Sequence, residues 1–196
     1  LGEFQRRHPE IQVRLTTEFY QGLGLVEGDH DIGFSVTDWP ERTKEMRVDT
    51  LFPVYLTPSC APSLLEGRAR LSSADELAHY PMLHERPHRW DWTAWIEAFG
   101  VTSLDPKSGH DFHNLDMATK AAVMGAGMVM ADLVLCREEL ESGVLITPLR
   151  EMTCASPTGG VCLIGRAERW DDTKVRAFRA WALEAAAEDV ARLGLP

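Results

Sequence analysis

The sequence predicts an α/β protein, and three observations carry that prediction. Helical and strand-like patterns alternate from the first residues onward, strand-like runs are separated by amphipathic or Ala-rich helices, and no apolar run approaches the roughly 20 residues of a membrane span. A chain of 196 residues with 44% apolar content has room for one large domain or two small α/β lobes around a real core.

"LGEFQRRHPE" places Leu1 and Phe4 on one helical face and Arg6 and Arg7 on the other, and Pro9 ends the helix. "IQVRLTT" alternates apolar and polar residues, with Ile11, Val13 and Leu15 pointing one way, the pattern of a half-buried strand. Residues 20–28 form a short helix closing at Gly28, and "HDIGFSV" follows as a buried strand. This helix–strand–helix–strand order favours a parallel sheet with covering helices.

Further on, "LFPVYLTP" is a strand ended by Pro58, "SADELAH" a capped turn of helix opening at Ser73 or Asp75, and "YPMLHE" a short apolar strand. In "RWDWTAWIEAFG", Asp91 is the expected N-cap. Trp92, Trp95, Ile96 and Phe99 fall on one face, and Gly100 closes the helix. "NLDMATKAAVMG" is an Ala-rich helix capped by Asn114, and "GMVMA" a strand. Then come a surface helix, "CREELESG", a strand, "VLITPL", a turn-rich stretch, "TCASPTGG", and a strand, "VCLIGRA". A helix over 171–186 is opened by Asp171 or Asp172, with Val175, Phe178, Ala182 and Ala185 on its inner face and Trp181 beside them.

Gly125-Ala126-Gly127 looks like half of a nucleotide-binding loop, but its context is wrong. A phosphate-cradling glycine loop follows a strand and opens a helix. Here the glycines end a helix and lead into a strand, so they form a C-cap and a sharp turn.

A net charge of −10 and a pI near 5.1 repel polyphosphate backbones and argue against a DNA-contacting surface. Cys60, Cys136, Cys154 and Cys162 include no Cys-x-x-Cys pair, which favours reduced, mostly buried thiols in a cytoplasmic protein. No signal peptide is present. The chain opens on a helix already under way, which suggests that the true N-terminus lies upstream.

Candidate chemistry is sparse. There is no Gly-x-Ser-x-Gly elbow, so the expectation is no enzyme, no catalytic residues and no cofactor. His84, His88, His110 and His113 cluster in one third of the chain with Glu85 and Asp111, but on loops and without helical His-x-x-x-His spacing. Structural or surface histidines are preferred to a metal site. Ligands of open α/β sheets bind beyond the carboxyl ends of strands. That rule selects Thr17 and Glu18 after "IQVRL", Phe34, Ser35 and Val36 at the next strand, and His84 and His113 in the second half. It also selects Arg89, Trp90 and Asp91 at the start of the tryptophan helix, where free N–H groups and Arg89 suit an anion. The competing reading of each is an ordinary cap or core residue.

The order of these pieces resembles the effector-binding domain of LysR-type transcriptional regulators. "LGEFQRRHPEIQVRL" looks like that family's first helix and second strand, and "LVEGDHDIGF" like its Gly–Asp–strand pattern. "LFPVYLTPSCAPSLL" is similar to the strand leaving the first lobe, and "ADELAHYPMLHE" to the start of the second. "KAAVMGAGMVMADLVLCREELESGVLITPL" matches the Ala-Ala…Gly-x-Gly…Gly-x-Leu stretch, and "KVRAFRAWALEAA" resembles the closing helix. The "PMLHE…WDWTAW" region looks most like the glycine-cleavage and β-lactamase regulators. The family's helix-turn-helix, linker helix and first effector-domain strand do not appear before Leu1.

The resemblance implies two Rossmann-like lobes of the type 2 periplasmic-binding-protein kind, joined by a double crossover hinge and lacking the first strand of the first lobe. Pro and Gly put the crossings near Thr57–Cys60 and Ser156–Gly160. Lobe I is then residues 1–58 plus 159–196, and lobe II residues 59–158. A small-molecule effector would enter the interlobe cleft, with Thr17, Glu18, Phe34, Ser35, Val36, His84, Arg89, Trp90, Asp91 and His113 as its candidate contacts. The implied partners are a second copy in a homodimer or tetramer, DNA through the N-terminal helix-turn-helix only, RNA polymerase in the full-length protein, and no membrane. The alternative is a solute-binding protein of a transport system.

Overall fold

The computed structural model describes residues 1–16, 30–36, 45–66, 68, 70–85 and 90–193. Thr17, Glu18, the expected helix over 20–28, His88 and Arg89 lie outside the described residues. The chain divides into unit 1, Leu1–Pro53 with Thr158–Pro196, and unit 2, Val54–Pro157. Two long strands, β2 (Met46–Ser59) and β6 (Cys154–Arg166), run from one unit into the other.

In unit 1, helix α1 (Gly2–Arg7) turns its buried Phe4 inward, while Leu1 stays exposed, contrary to expectation. Strand β1 (Gly33–Val36) pairs antiparallel with β6, placing Ser35 opposite Cys162 and Phe34 opposite Leu163. The closing helix, α5 (Thr173–Leu193), runs well past residue 186 and buries Val175, Phe178 and Ala182 with Phe4, Leu163 and Trp170. Phe4 meets Phe178 edge-on, with ring centroids 5.0 Å apart. Arg179 on the same helix lies 4.0 Å over the Trp170 ring and bonds Asp49 at 2.8 Å.

Over the described part of "IQVRLTT", residues 11–16, the expected strand does not form. Ile11 and Val13 pack against the unit 1 core, but Leu15 is 68% exposed and residues 11–16 carry no strand. Apolar alternation needs a paired neighbour to become a strand, and none of the described strands lies alongside.

In unit 2, β2 pairs antiparallel with β5 (Met128–Asp132), while β3 (Met82–Glu85) pairs parallel with both β5 and β4 (His110–Phe112). The wholly parallel sheet that the element order favoured is therefore a mixed one. Alternation of side chains within a strand does not encode the direction of its neighbour. Helix α2 (Trp90–Phe99) is already under way two residues before the expected start at Trp92, so Asp91 sits inside its first turn and is not the N-cap. Trp92 and Trp95 are buried and meet edge-on, and their indoles donate to the carbonyls of Leu83 at 3.1 Å and Met152 at 2.6 Å.

Helix α3 (Leu115–Val123) begins at Asn114, whose side chain accepts the Met117 N–H at 2.9 Å. Its small residues Ala118 and Ala122 pack against Leu83, Val129 and Ala131 of the sheet. The glycines after it do what their context predicted. Gly125, at φ +83, donates to Ala122 as the helix ends, and Gly127 brings the chain against β3, where Met128 N–H reaches the Pro81 carbonyl at 2.8 Å.

Three strand assignments differ in detail. Pro58 lies within β2 and does not end it. "VLITPL", which follows the short helix α4 (Arg137–Glu141), makes a single bridge among the described residues, Ile146 with Cys60, so it is not a strand. From Cys154 onward "TCASPTGG" is part of β6 and not a turn region; a Cβ on Gly160 would lie 2.5 Å from the Phe52 carbonyl oxygen, so glycine there serves close strand approach.

A Cβ on Gly127 would lie 2.3 Å from the Pro81 carbonyl oxygen. Gly127→Ala is therefore expected to destabilise the fold by about 1–3 kcal/mol, and Asn114→Ala by about 1 kcal/mol through loss of the cap. Urea midpoints at unchanged slope measure both; a Gly127→Ala midpoint equal to that of the parent chain would contradict the close approach.

Candidate functional site

The sequence places a polar residue at the carboxyl end of each parallel strand of unit 2. β3 ends at His84 and Glu85, β4 is followed by His113 and Asn114, and β5 ends at Asp132. Parallel strands deliver these ends to one sheet edge. Helices α2 and α3 both start from this edge, after β3 and β4 respectively.

His84 is 1% exposed, and its Nε2–H donates to the Ser108 carbonyl at 2.6 Å. A carbonyl can only accept, so that nitrogen carries a proton. Glu85 sits at the open end of β3 and accepts a backbone N–H from Leu115 at the start of α3. His84, Glu85, Asp91, Trp92, Leu115 and Met130 are among the residues around a cavity of about 10 Å³. That is room for a single water and far below the about 300–1,000 Å³ of a small-molecule pocket.

Asp132 is 1% exposed. Its Oδ1 accepts the backbone N–H groups of Val134 at 2.8 Å and Leu135 at 2.6 Å, while Oδ2 has no hydrogen-bond partner among the described residues. Burial pushes its carboxyl up to about 6 against these donors and that of Tyr55. Asp91 is also pushed up to about 6, by burial and by the Asp132 charge, while the Ser156 hydroxyl bonded to it works the other way. Glu85 is pushed up to about 7 by protein crowding around its carboxyl and by Asp91, although the residue as a whole remains open to solvent. Asp132 on β5 thus weakens the ionisation of Asp91 on α2, and Asp91 that of Glu85 on β3.

The thiols are quiet. Burial pushes Cys60 up to about 12 and Cys136 up to about 11, so neither is a ready nucleophile at neutral pH. Among the described residues no three His, Cys, Asp or Glu side chains converge at metal-binding distance.

Of the residues selected from sequence, the structure brings His84 and Asp91 to the same small cavity. Trp90 opens α2 with its side chain half exposed, and His113 is exposed beside the Asn114 cap. Phe34, Ser35 and Val36 belong to unit 1. Phe34, expected in a buried strand, is 54% exposed on β1, the edge strand of the described sheet; it keeps an edge-on contact with Phe178 at 6.3 Å. The carboxyls of Glu85 and Asp132 were missed, although the strand-end rule applied to "PMLHE" and "GMVMAD" would have selected both.

Comparison with known proteins follows the same architecture. The family model described as "LysR substrate binding domain" matches residues 1–187. The glycine cleavage system transcriptional activator of Escherichia coli (strain K12) is 29% identical over 190 residues, covering 96% of this chain and 60% of that protein. The HTH-type transcriptional activator AmpR of Pseudomonas aeruginosa is 30% identical over 190 residues, covering 95% and 60%. The chain therefore spans about 60% of the length of these curated relatives. Among solved structures, the effector domain of AmpR from Pseudomonas aeruginosa superposes with a TM-score of 0.75 at 27% identity, over 98% of this chain and 89% of that one. The CrgA regulatory domain from Neisseria meningitidis gives 0.76 at 19% identity, over 94% and 89%, a likeness of fold alone.

The carboxyl shifts have a sign. Asp91 ionises at a higher pH in the folded chain than unfolded, so its share of stability is fully present below about pH 4 and is lost as pH rises through about 6. Asp91→Asn, which keeps an acceptor for Ser156, should stabilise the fold by about 1–3 kcal/mol at pH 8 and leave it nearly unchanged at pH 4. Chemical denaturation at the two pH values tests this; equal effects at both would refute it.

Proposed function

Because the chain belongs to the LysR substrate-binding-domain family, we propose that it is the effector-sensing and dimerisation domain of a LysR-type transcriptional regulator. The observation that carries this reading is the agreement of family and fold over nearly the whole chain: a match through residues 1–187 and likeness to a transcriptional activator's effector domain over 98% of the sequence. The alternative of a transporter's solute-binding protein loses support, since the similar curated proteins above are transcriptional activators. Their being regulators also supports a binding role over a catalytic one. Among the described residues no helix is long and apolar enough to cross a membrane, and a regulator of this kind works in the cytoplasm.

In this proposal residues 1–58 with 159–196 and residues 59–158 act as two effector lobes. A ligand binding between them shifts a conformational equilibrium by its differential affinity for the closed form. Thr17, Glu18, Phe34, Ser35 and Val36 supply one wall, and His84, Arg89, Trp90, Asp91 and His113 the other. A zwitterion suits this set better than a plain anion, because Glu85, Asp91 and Asp132 add negative charge beside the helix start that, with Arg89, attracts an acid group. DNA contact falls to a helix-turn-helix of the full-length regulator, which also meets RNA polymerase. The net charge of −10 supports leaving DNA to that segment.

The proposed dimer pairs "LGEFQRRHPE" of one copy with "MATKAAVMG" of the other about a two-fold axis. Two features support it: Met117 and Met124 stand exposed on and just beyond α3, and an open depression of about 540 Å³ borders Gln5, Pro9 and Ile11 beside α1. A tetramer would pair two such dimers.

Ligand bound only by the folded form adds about 2.7 kcal/mol of stability at 100-fold its dissociation constant. A thermal-shift screen of amino acids, peptides and small carboxylates should therefore yield a stabiliser whose effect Ser35→Ala or Arg89→Ala blunts. A stabiliser indifferent to both substitutions would move the site elsewhere. Light scattering should report a dimer, which Met124→Glu weakens, and the chain alone should fail to retain duplex DNA in a gel-shift assay at physiological salt.

A further inference from the structure

The stretch of unit 1 that follows α1 has the features of an open strand edge. From Ile11 to Arg14 the side chains alternate between half-buried and exposed, the period of two of an extended chain. Ile11 and Val13 pack on the core of Phe4, Leu163 and Phe178, while Gln12 and Arg14 face outward and Leu15 is 68% exposed. Among the described residues no backbone hydrogen bond reaches residues 12–15. The depression of about 540 Å³ that borders Pro9 through Arg14 leaves room for another chain alongside.

A row of open N–H and C=O groups with one apolar face is a template for a further strand. Here the charges along it complement themselves. Arg14 is exposed and has no ion pair among the described residues, and Glu10, also exposed, meets only His8 Nδ1 among them, at 3.4 Å. Residues directly opposite in an antiparallel pair share a face, so the core-facing Ile11 and Val13 must meet odd-numbered partners. Of the registers that obey this, the one centred on Gln12 sets Glu10 of each copy opposite Arg14 of the other, Ile11 against Val13, and the exposed Leu15 against Pro9. A slip of two residues either way breaks both charge pairs. Pro9, which has no N–H to give, falls at the end of the paired stretch, where a strand tolerates it.

We propose that residues 10–14 of two copies of this chain pair as antiparallel strands about a two-fold axis at Gln12, held in register by two Glu10–Arg14 ion pairs. The pairing gives the open backbone its hydrogen-bond partners and covers Leu15. It stands on the residues of unit 1 alone and does not rest on the regulator reading. It is also distinct from the pairing of α1 with α3, because it sets one stretch of chain against its own copy. So short a contact makes a small interface, and the association is accordingly weak and shows at high protein concentration.

The test is sedimentation equilibrium of the whole chain, up to about 1 mM protein, for the parent, Glu10→Arg, Arg14→Glu and the double exchange. Both side chains are exposed, so each variant should keep the parent's fold. Each single reversal sets like charges opposite each other at both crossings and should weaken self-association about tenfold. The double exchange should restore it. An equimolar mixture of the two single variants should associate as the parent does, since one copy then carries Arg at both positions and the other Glu. Met124→Glu, which acts on the α1–α3 pairing, should leave this pattern in place. The edge pairing is overturned if the parent stays monomeric at about 1 mM, if the single reversals associate as the parent does, or if their mixture is no tighter than its components. It is overturned too if Met124→Glu removes all association, which would leave the α1–α3 dimer standing alone.

Discussion

The burial of Asp132 at the end of β5 is the constraint on which unit 2 turns. β5 lies between β2 and β3, so the point where it stops sets where both neighbours can be gripped. One oxygen of Asp132 closes the turn off the strand by taking two backbone N–H groups, which leads the chain directly into Cys136 and α4. A buried carboxylate costs several kcal/mol when its donors are too few. Here Oδ1 is well served and Oδ2 is not, and the resulting tension is passed to Asp91 and from there to Glu85.

The same edge explains why the polar residues of unit 2 collect in one place. β3, β4 and β5 are mutually parallel in order, and parallel strands end on one side. Each end is then followed by a turn that must satisfy free backbone groups: Asn114 caps α3, Asp132 closes its own turn, and Glu85 reaches the first amide of α3. Packing behind that edge is made of small and sulfur-bearing side chains, Ala118, Ala122, Ala131 and Cys136, which let α3 approach the sheet closely.

Much of the site was legible because strand ends and helix starts leave marks in sequence. Asn114 before an Ala-rich run reads as a cap, and Gly125-Ala126-Gly127 after it reads as a stop; both hold in the structure. His84 and Asp91 were selected by the same rule and line one cavity. Glu85 and Asp132 were not, although each ends a strand legible in sequence; that the two ends, 47 positions apart, share one edge is set by the β3–β5 pairing. The helix start at Trp90 also escaped, since Asp91 is a good cap by type yet turns its carboxyl to Ser156.

By itself the sequence determined the α/β class, the helix faces carrying Phe4, Trp92, Trp95, Ala118 and Phe178, and the glycine turn into β5. All of these rest on local periodicity or on backbone conformations confined to a few residues. Tertiary structure decided what local pattern cannot hold: that β2 and β6 meet antiparallel neighbours, that "TCASPTGG" extends a strand because Gly160 must pass Phe52, and that residues 11–16 pair with none of the described strands. It also decided how strongly three acids resist ionisation. That resistance comes from desolvation first, with Asp132 repelling Asp91 and Asp91 repelling Glu85 in addition, and neither exists until β3, α2 and β5 are packed together.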